Sequence, residues 1–408
     1  MKNFTLPVLA LFTMIFVSCE EDEILMEEYN VAIPIIQSKA DFRASISIDD
    51  PKKIEQSGKI YVYEDYIFVN DNGKGVHILD NSNFSPVKLK FLNIPGNTDI
   101  AIKGDLLYAN SKMDLVIFDI SDLNNIKLKD RVEEVFEDEL LRPTENVQEY
   151  DFSNYNSNED IVIGYTIETR EREVPTDVYN GQPQPNFSEF DGSGTGGSMA
   201  RFNISDNFLY VVGEYNLSVF DISNPTSPTI TSQEQVGWQI ETIFNKEGYL
   251  YLGSATGLYI YNIENPGTPV YASEIQHIYG CDPVVVQDDL AYVTIRGGNI
   301  CGQEFSQLEI IDVSDKKNPQ SLQIYEMESP YGLGVKDNRL FVCDGEFGLK
   351  IYDTSKSPEL DMIDHFEEFT AYDVIPMENV LIMIGNNVLS QYSYKGGAIT
   401  LINTFSLE

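Results

Sequence analysis

One pattern recurs along this chain: an aromatic-rich apolar run, a polar turn, a second apolar run ending in Asp or Asn, then a Ser/Asn/Pro turn. It reads YIFVNDNGKGVHILDNSNFSPV (66–87), LLYANSKMDLVIFDISDLNNI (106–126), FLYVVGEYNLSVFDISNPTSP (208–228), YLYLGSATGLYIYNIENPGTP (249–269), LAYVTIRGGNICGQEFSQLEIIDVSDKKNP (290–319) and RLFVCDGEFGLKIYDTSKSP (339–358). A degenerate copy, VLIMIGNNVLSQYSYKGG (380–397), lacks the Asp and Pro. Phe68, Tyr108, Tyr210, Tyr251, Tyr292, Phe341 and Ile382 then share one aligned position. The spacing is about forty residues, widened once by a long insertion at about 131–199 and once by a short one at about 297–305. Such a period restricts the chain to stacked copies of one small unit, because a single unit cannot bury both of its faces.

Each copy holds four β-type stretches, as in Arg201–Ile204, Phe208–Val212, Leu217–Asp221 and Thr229–Ser232. Val, Ile, Tyr and Phe fill them, and Gly, Asn, Asp and Pro separate them. Four antiparallel strands repeated radially make a propeller blade, so the expected fold is all-β, a seven-bladed β-propeller. Six blades result if the last copy is not a blade, and eight if the insertion hides one. Within the insertion DIVIGYTIE (160–168) reads as a strand of a hairpin excursion, and QPQPNFSEFDGSGTGG (182–197) as a loop. The Asp that ends the third strand, at Asp80, Asp119, Asp221, Asp312 and Asp353, suits an Asx-turn and is expected to be structural.

Val-Ile-Phe-Asp-Ile (116–120) and Glu-Ile-Ile-Asp-Val (309–313) resemble the LVIVD repeat of bacterial and archaeal surface proteins. That resemblance implies a propeller over about 58–403 and says almost nothing of function. At the N-terminus, Lys2 precedes an apolar run from Phe4 to Val17, too short for a membrane span and of the length of a secretory signal. Its end, Phe16-Val17-Ser18-Cys19, resembles the lipobox of bacterial lipoproteins. The resemblance implies a signal peptide at 1–18, acylation of Cys19 (palmitate among the acyl groups) and a stable membrane anchor. Glu20-Glu21-Asp22-Glu23 resembles the acidic export signal of outer-membrane lipoproteins displayed on the cell surface, which favours the surface over the periplasmic side. Residues 19–57 are expected to form an acidic tether and leading strands, and 58–408 the propeller.

With 65 acidic against 27 basic residues and a net charge of −38, the chain repels phosphate backbones, so nucleic acid is not an expected partner. A protein or a glycan is. In propeller topology the links between blades share a face with the two–three turns, so both insertions fall on one face. The candidate ligand residues there are Trp238, Tyr279, Asp282, Tyr331, Tyr372 and Asp373. Cys281, Cys301 and Cys343 map to the same face, Cys343 to a two–three loop. In an oxidising compartment Cys281–Cys301 is the expected disulfide.

No catalytic motif and no metal motif is present, and no cofactor is predicted. Gly253-Ser-Ala-Thr-Gly257 lacks a nucleophile, and the turns at Asn70–Gly73 and Asp344–Glu346 lack a full calcium ladder, leaving a divalent metal without a motif. The binding reading therefore leads. Its alternative is a lyase or hydrolase using carboxylates at the channel mouth, where the expected charged residues are Lys59, Asp99, Arg201, Glu241, Asp282 and Asp373.

Overall fold

The structure, a computed structural model, describes residues 26–138, 140, 143, 145–173, 199–276, 283–297, 305–394 and 397–408. The Cys19 anchor, Cys281, Cys301, Tyr279 and Asp282 lie outside the described residues.

Among the described residues, seven antiparallel sheets follow one another, each a meander in which consecutive strands pair. Their first strands are Ser57–Tyr63, Ile100–Lys103, Phe202–Ser205, Ile240–Lys246, Val284–Gln287, Leu333–Lys336 and Asp373–Pro376. Each first strand contacts that of the next sheet, and the seventh contacts the first. The result is an all-β, propeller-like array. The degenerate copy takes its full place in it, with four strands from Asp373–Pro376 to Thr400–Ser406.

The second and third strands read as continuous apolar runs because both of their faces are covered by neighbouring sheets. Phe68, Tyr108, Tyr210, Tyr251, Tyr292, Phe341 and Ile382 are all at most 2% exposed. Between the seventh and first sheets, Ile382, Ile384 and Leu389 pack with Ile60, Ile67 and Val69. The fourth strands are the outer ones and are largely exposed, as at Thr229–Gln235.

Three local devices repeat. First, the terminal aspartates close Asx-turns: Oδ1 of Asp80, Asp221, Asp312 and Asp353 accepts the amide two residues on at 2.9, 2.7, 2.8 and 2.8 Å. In the fourth sheet Asn262 does the same for Glu264 at 2.8 Å, so the turn needs a short acceptor rather than a charge. Second, every sheet carries a register shift between its third and fourth strands, for example at Ile78/Leu79, Val219/Phe220 and Gln391/Tyr392. A bulge there leaves one fourth-strand residue unpaired and sharpens the twist.

The third device couples sheets. Tyr108 donates to the Pro225 carbonyl at 2.9 Å and Tyr210 to the Pro266 carbonyl at 3.0 Å, each reaching the proline turn of the following sheet. The repeat's aromatic and its proline turn are thus two ends of one contact. Tyr210→Phe keeps the buried ring and removes only the donor. It should cost about 1 kcal/mol, the net worth of a typical hydrogen bond, read as a lower denaturant midpoint at unchanged slope.

Residues before the repeats wrap around the array. Helix α1 (Lys39–Ala44) is capped by the Ser38 hydroxyl, which accepts the Asp41 amide at 3.1 Å. Ser47–Asp49 then adds a fifth strand to the outer edge of the first sheet.

Candidate functional site on the insertion-bearing face

Hydrogen bonds place the two–three turns and the inter-sheet links on one face. Gly73 donates to Asn97 O at 2.9 Å, Ala255 to Gln239 O at 3.0 Å, and Gly345 to Ala371 O at 3.1 Å. In each case a turn amide meets a link carbonyl.

The long insertion leaves the second sheet after Val132 and returns at Arg201 on this face. Among the described residues its long strand, Asp160–Glu173, lacks the partner inside the insertion that a hairpin would require. It pairs with the leading strand Met26–Ser38 in a register running from Met26↔Glu173 to Ser38↔Asp160. The short strand Glu149–Tyr150 lies parallel on the leading strand's other edge. Among the described residues the insertion supplies no eighth meander. It makes a three-stranded ribbon.

The ribbon is held at the second sheet by both apolar and ionic contacts. Phe42 of α1 packs with Met113 and Ile161, joining helix, sheet turn and insertion strand. Beside it, Asp114 is fully buried and accepts Arg43 Nε at 2.8 Å, Arg43 Nη2 at 3.1 Å, Arg131 Nη1 at 2.6 Å and the Glu134 amide at 3.0 Å. These donors outweigh the cost of burial, and the Asp114 carboxyl lies below the usual range.

Two cavities meet at the returning segment 200–202. A cleft of about 520 Å³ lies between the ribbon and the first three sheets, with Phe42, Val162, Ile163, Asn110, Arg201 and Val212 among its walls. A second cavity, of about 570 Å³, is lined by residues from the first strands of all seven sheets.

Around Lys59, which lines that cavity, the structure gathers four of the six expected charges, Lys59, Asp99, Arg201 and Asp373. Lys59 Nζ stands 3.2 Å from Asp99 Oδ2, with both side chains under 10% exposed. Asp99 also accepts the Arg201 and Phe202 amides, so the third sheet's entry is tied to the second's. Burial pulls the Lys59 ammonium down to about 8; Asp99 and Asp373 oppose that fall, and Arg201 adds to it. Glu241 sits in the first strand of the fourth sheet.

The ligand residues divide into two groups. Tyr331 and Tyr372 meet edge to face at 5.1 Å, and the Arg296 guanidinium lies 4.1 Å over the Tyr331 ring. Trp238 is 44% exposed and meets Tyr215 edge to face at 5.4 Å. Asp373 departs from expectation: it is fully buried rather than displayed, and its carboxylate fills the space where Gly332 has no side chain. Cys343 departs too. It ends the strand Arg339–Cys343 rather than lying in a loop, and burial pushes its thiol well up. It is a free thiol, fully buried.

The turns that hint at calcium are occupied by internal partners. Asp71 takes the Glu55 and Gln56 amides at 3.0 and 3.1 Å and faces His77 Nε2 at 3.3 Å. Asp344 takes Lys350 Nζ at 2.5 Å and the Ser329 amide at 2.7 Å. His77 and Lys350 hold equivalent places in their hairpins, each six residues past its aspartate. Among the described residues no cluster of His, Cys, Asp and Glu has the makings of a metal site.

Sequence reasoning missed Arg43, Asp114, Arg131, Tyr215 and Arg296. The only trace of the first three was a pair of arginines, one ahead of the first repeat and one after the second, in a chain poor in cations.

Residues 56–92, 96–134 and 196–233 match the LVIVD repeat model. No curated protein matches the chain in sequence. Among solved structures, the computationally designed Ika8 protein covers 88% of this chain and 88% of its own, at 9% identity and a TM-score of 0.52. Saccharomyces cerevisiae Sqt1 covers 86% and 85%, at 10% identity and a TM-score of 0.50. A functionally unknown protein from Desulfotomaculum acetoxidans covers 86% and 95%, at 13% identity and a TM-score of 0.51. At these identities the likeness is one of fold.

Proposed function

We propose that this chain, which carries LVIVD repeats, is a seven-bladed propeller acting as an envelope-anchored binding or scaffolding module for a protein or glycan. The ring reading rests on the seventh sheet's first strand touching the first sheet's, and on their shared core. The observation that carries the function is the ribbon. The leading strand and the insertion strand are the two long segments outside the repeat, and together they build up one face. That face also holds Trp238, Tyr331 and Tyr372, aromatic side chains of the kind that dominate recognition surfaces. Acyl chains on Cys19 would hold the module at the outer membrane, with surface display preferred.

The enzyme alternative draws on the Lys59–Asp99–Asp373 group at the channel mouth. Asp99 is already engaged by a cation and backbone amides, which suits a structural clasp better than an acid–base pair.

Labelled fatty acid should enter the parent and not Cys19→Ala, and protease added to intact cells should degrade the protein. Purified soluble protein should be screened against envelope proteins and glycans. For any ligand found, Trp238→Ala should weaken binding by more than about 1 kcal/mol, the threshold for a contributing residue. Lys103 and Glu247, on the opposite face, should tolerate substitution. The reverse pattern would place the site on the other face.

A further inference from the structure

The cleft beneath the ribbon has a chemistry of its own. Its volume, about 520 Å³, is within the range of small-ligand pockets. Phe42, Phe202, Val162, Val211 and Val212 are buried apolar residues of its wall, and Ile163 adds an exposed one from the insertion strand. Of the charges around it, Lys112 pairs with Asp138 at 2.8 Å, and the exposed Glu137 carboxylate accepts the neutral Asn216 side-chain amide at 2.6 Å. Arg201 is different. Its backbone is fixed by the bond to Asp99, yet among the described residues no carboxylate, carbonyl or ring engages its half-buried guanidinium. In a chain with 65 acidic residues, an arginine beside an apolar cleft that no described acidic residue pairs with stands out. A guanidinium presents planar paired donors suited to a carboxylate or sulfonate.

We propose that this cleft binds a small amphipathic anion, an aryl or acyl carboxylate or sulfonate, with its apolar body against Phe42, Val162 and Val212 and its acid group on Arg201. Asn110 and Asn216 line the same wall, their side-chain amides donating to the Gly96 carbonyl and to Glu137. The site deepens the binding reading of this face. It is separable from it, because a protein or glycan can dock around Trp238 and Tyr331 whether or not the cleft is filled.

The probe is anilinonaphthalene sulfonate, compared with its uncharged parent phenylnaphthylamine. General adsorption of an anion to so acidic a chain is disfavoured, so saturable one-to-one binding of the sulfonate reports a site. Arg201→Gln should weaken the sulfonate by about tenfold or more, as loss of a charge-assisted contact does, and leave the uncharged dye unchanged. Arg201→Lys should recover part of the loss. Ile163→Glu puts a carboxylate on a wall that belongs to the cleft and not to the channel, and should abolish sulfonate binding while the thermal midpoint holds. Failure of the sulfonate to bind, equal binding by Arg201→Gln, or loss with Arg201→Gln but not with Ile163→Glu would each overturn the proposal. None of those results touches Trp238-dependent binding of a macromolecule.

Discussion

Asp114→Ala should destabilise the protein by roughly 3–5 kcal/mol, the usual result of removing one partner from a buried ionic group. The loss would come less from missing attraction than from what stays behind. Arg43 and Arg131 have side chains only 19% and 12% exposed; they would lose the buried carboxylate between them, leaving Arg43 only the exposed Glu133 and Glu134. The Glu134 amide would lose its acceptor as well. Because Arg43 belongs to α1, the ribbon should loosen along with the second sheet. Trypsin cleavage after Lys39 or Arg43 should therefore accelerate beyond what global stability accounts for. Asp114→Leu with Arg43→Met and Arg131→Met should recover much of the loss, since apolar groups of similar volume replace such clusters at little cost. A change under about 1 kcal/mol in Asp114→Ala would show that the cluster does not hold the leading segment.

Alkaline pH should act on stability in two opposite stages. Lys59 has its folded pKa pulled from 10.5 to about 8, so between those values the unfolded chain holds the proton that the folded chain has released. Stability then rises with pH, and the contribution is complete above 10.5 and lost as pH falls through 8. Tyrosines do the reverse. Burial pushes Tyr108, Tyr261 and Tyr352 from 10.0 to about 12, and raises Tyr210, Tyr251 and Tyr392 as well. Here the folded state keeps the proton, so the contribution is complete below pH 10 and lost as pH climbs through 12. Denaturant midpoints should creep up from pH 8 to 10 and then fall steeply. Tyrosinate absorbance should lag in the folded protein and appear together with unfolding. Lys59→Met should flatten the rise and leave the fall intact. A parent with no fall above pH 10, or a rise that survives Lys59→Met, contradicts this assignment.

Much of this architecture was legible because the signals are local. A strand of alternating or continuous apolar residues, a turn of Asn, Asp, Gly and Pro, and an acceptor two residues before an amide are all set within a few positions. Hence the third copy's strands lie within a few residues of where its sequence puts them, from Phe202–Ser205 to Thr229–Gln235. The Asx-turns of Asp80, Asp221, Asp312 and Asp353 formed as their spacing required. Repetition strengthened each signal, since one period tested in several copies leaves little freedom in alignment.

The same logic explains what could not be read. Ile161 and Val162 announce a strand, but nothing near them names Ile36 and Gln37 as its partners. That pairing depends on which strand edge stays open and which apolar side stays uncovered once the sheets have stacked. Nothing near Asp114 in sequence marks it, because its partner Arg43 comes from the leading segment. Arg201 was legible as a charge near the channel, whereas its place on the wall of the cleft depends on the assembled structure. Local chemistry along the chain determined the repeating sheets and their turns. The ribbon, the ionic clasp beneath it and the cleft between were decided only by tertiary structure, because each depends on residues that meet far apart in sequence.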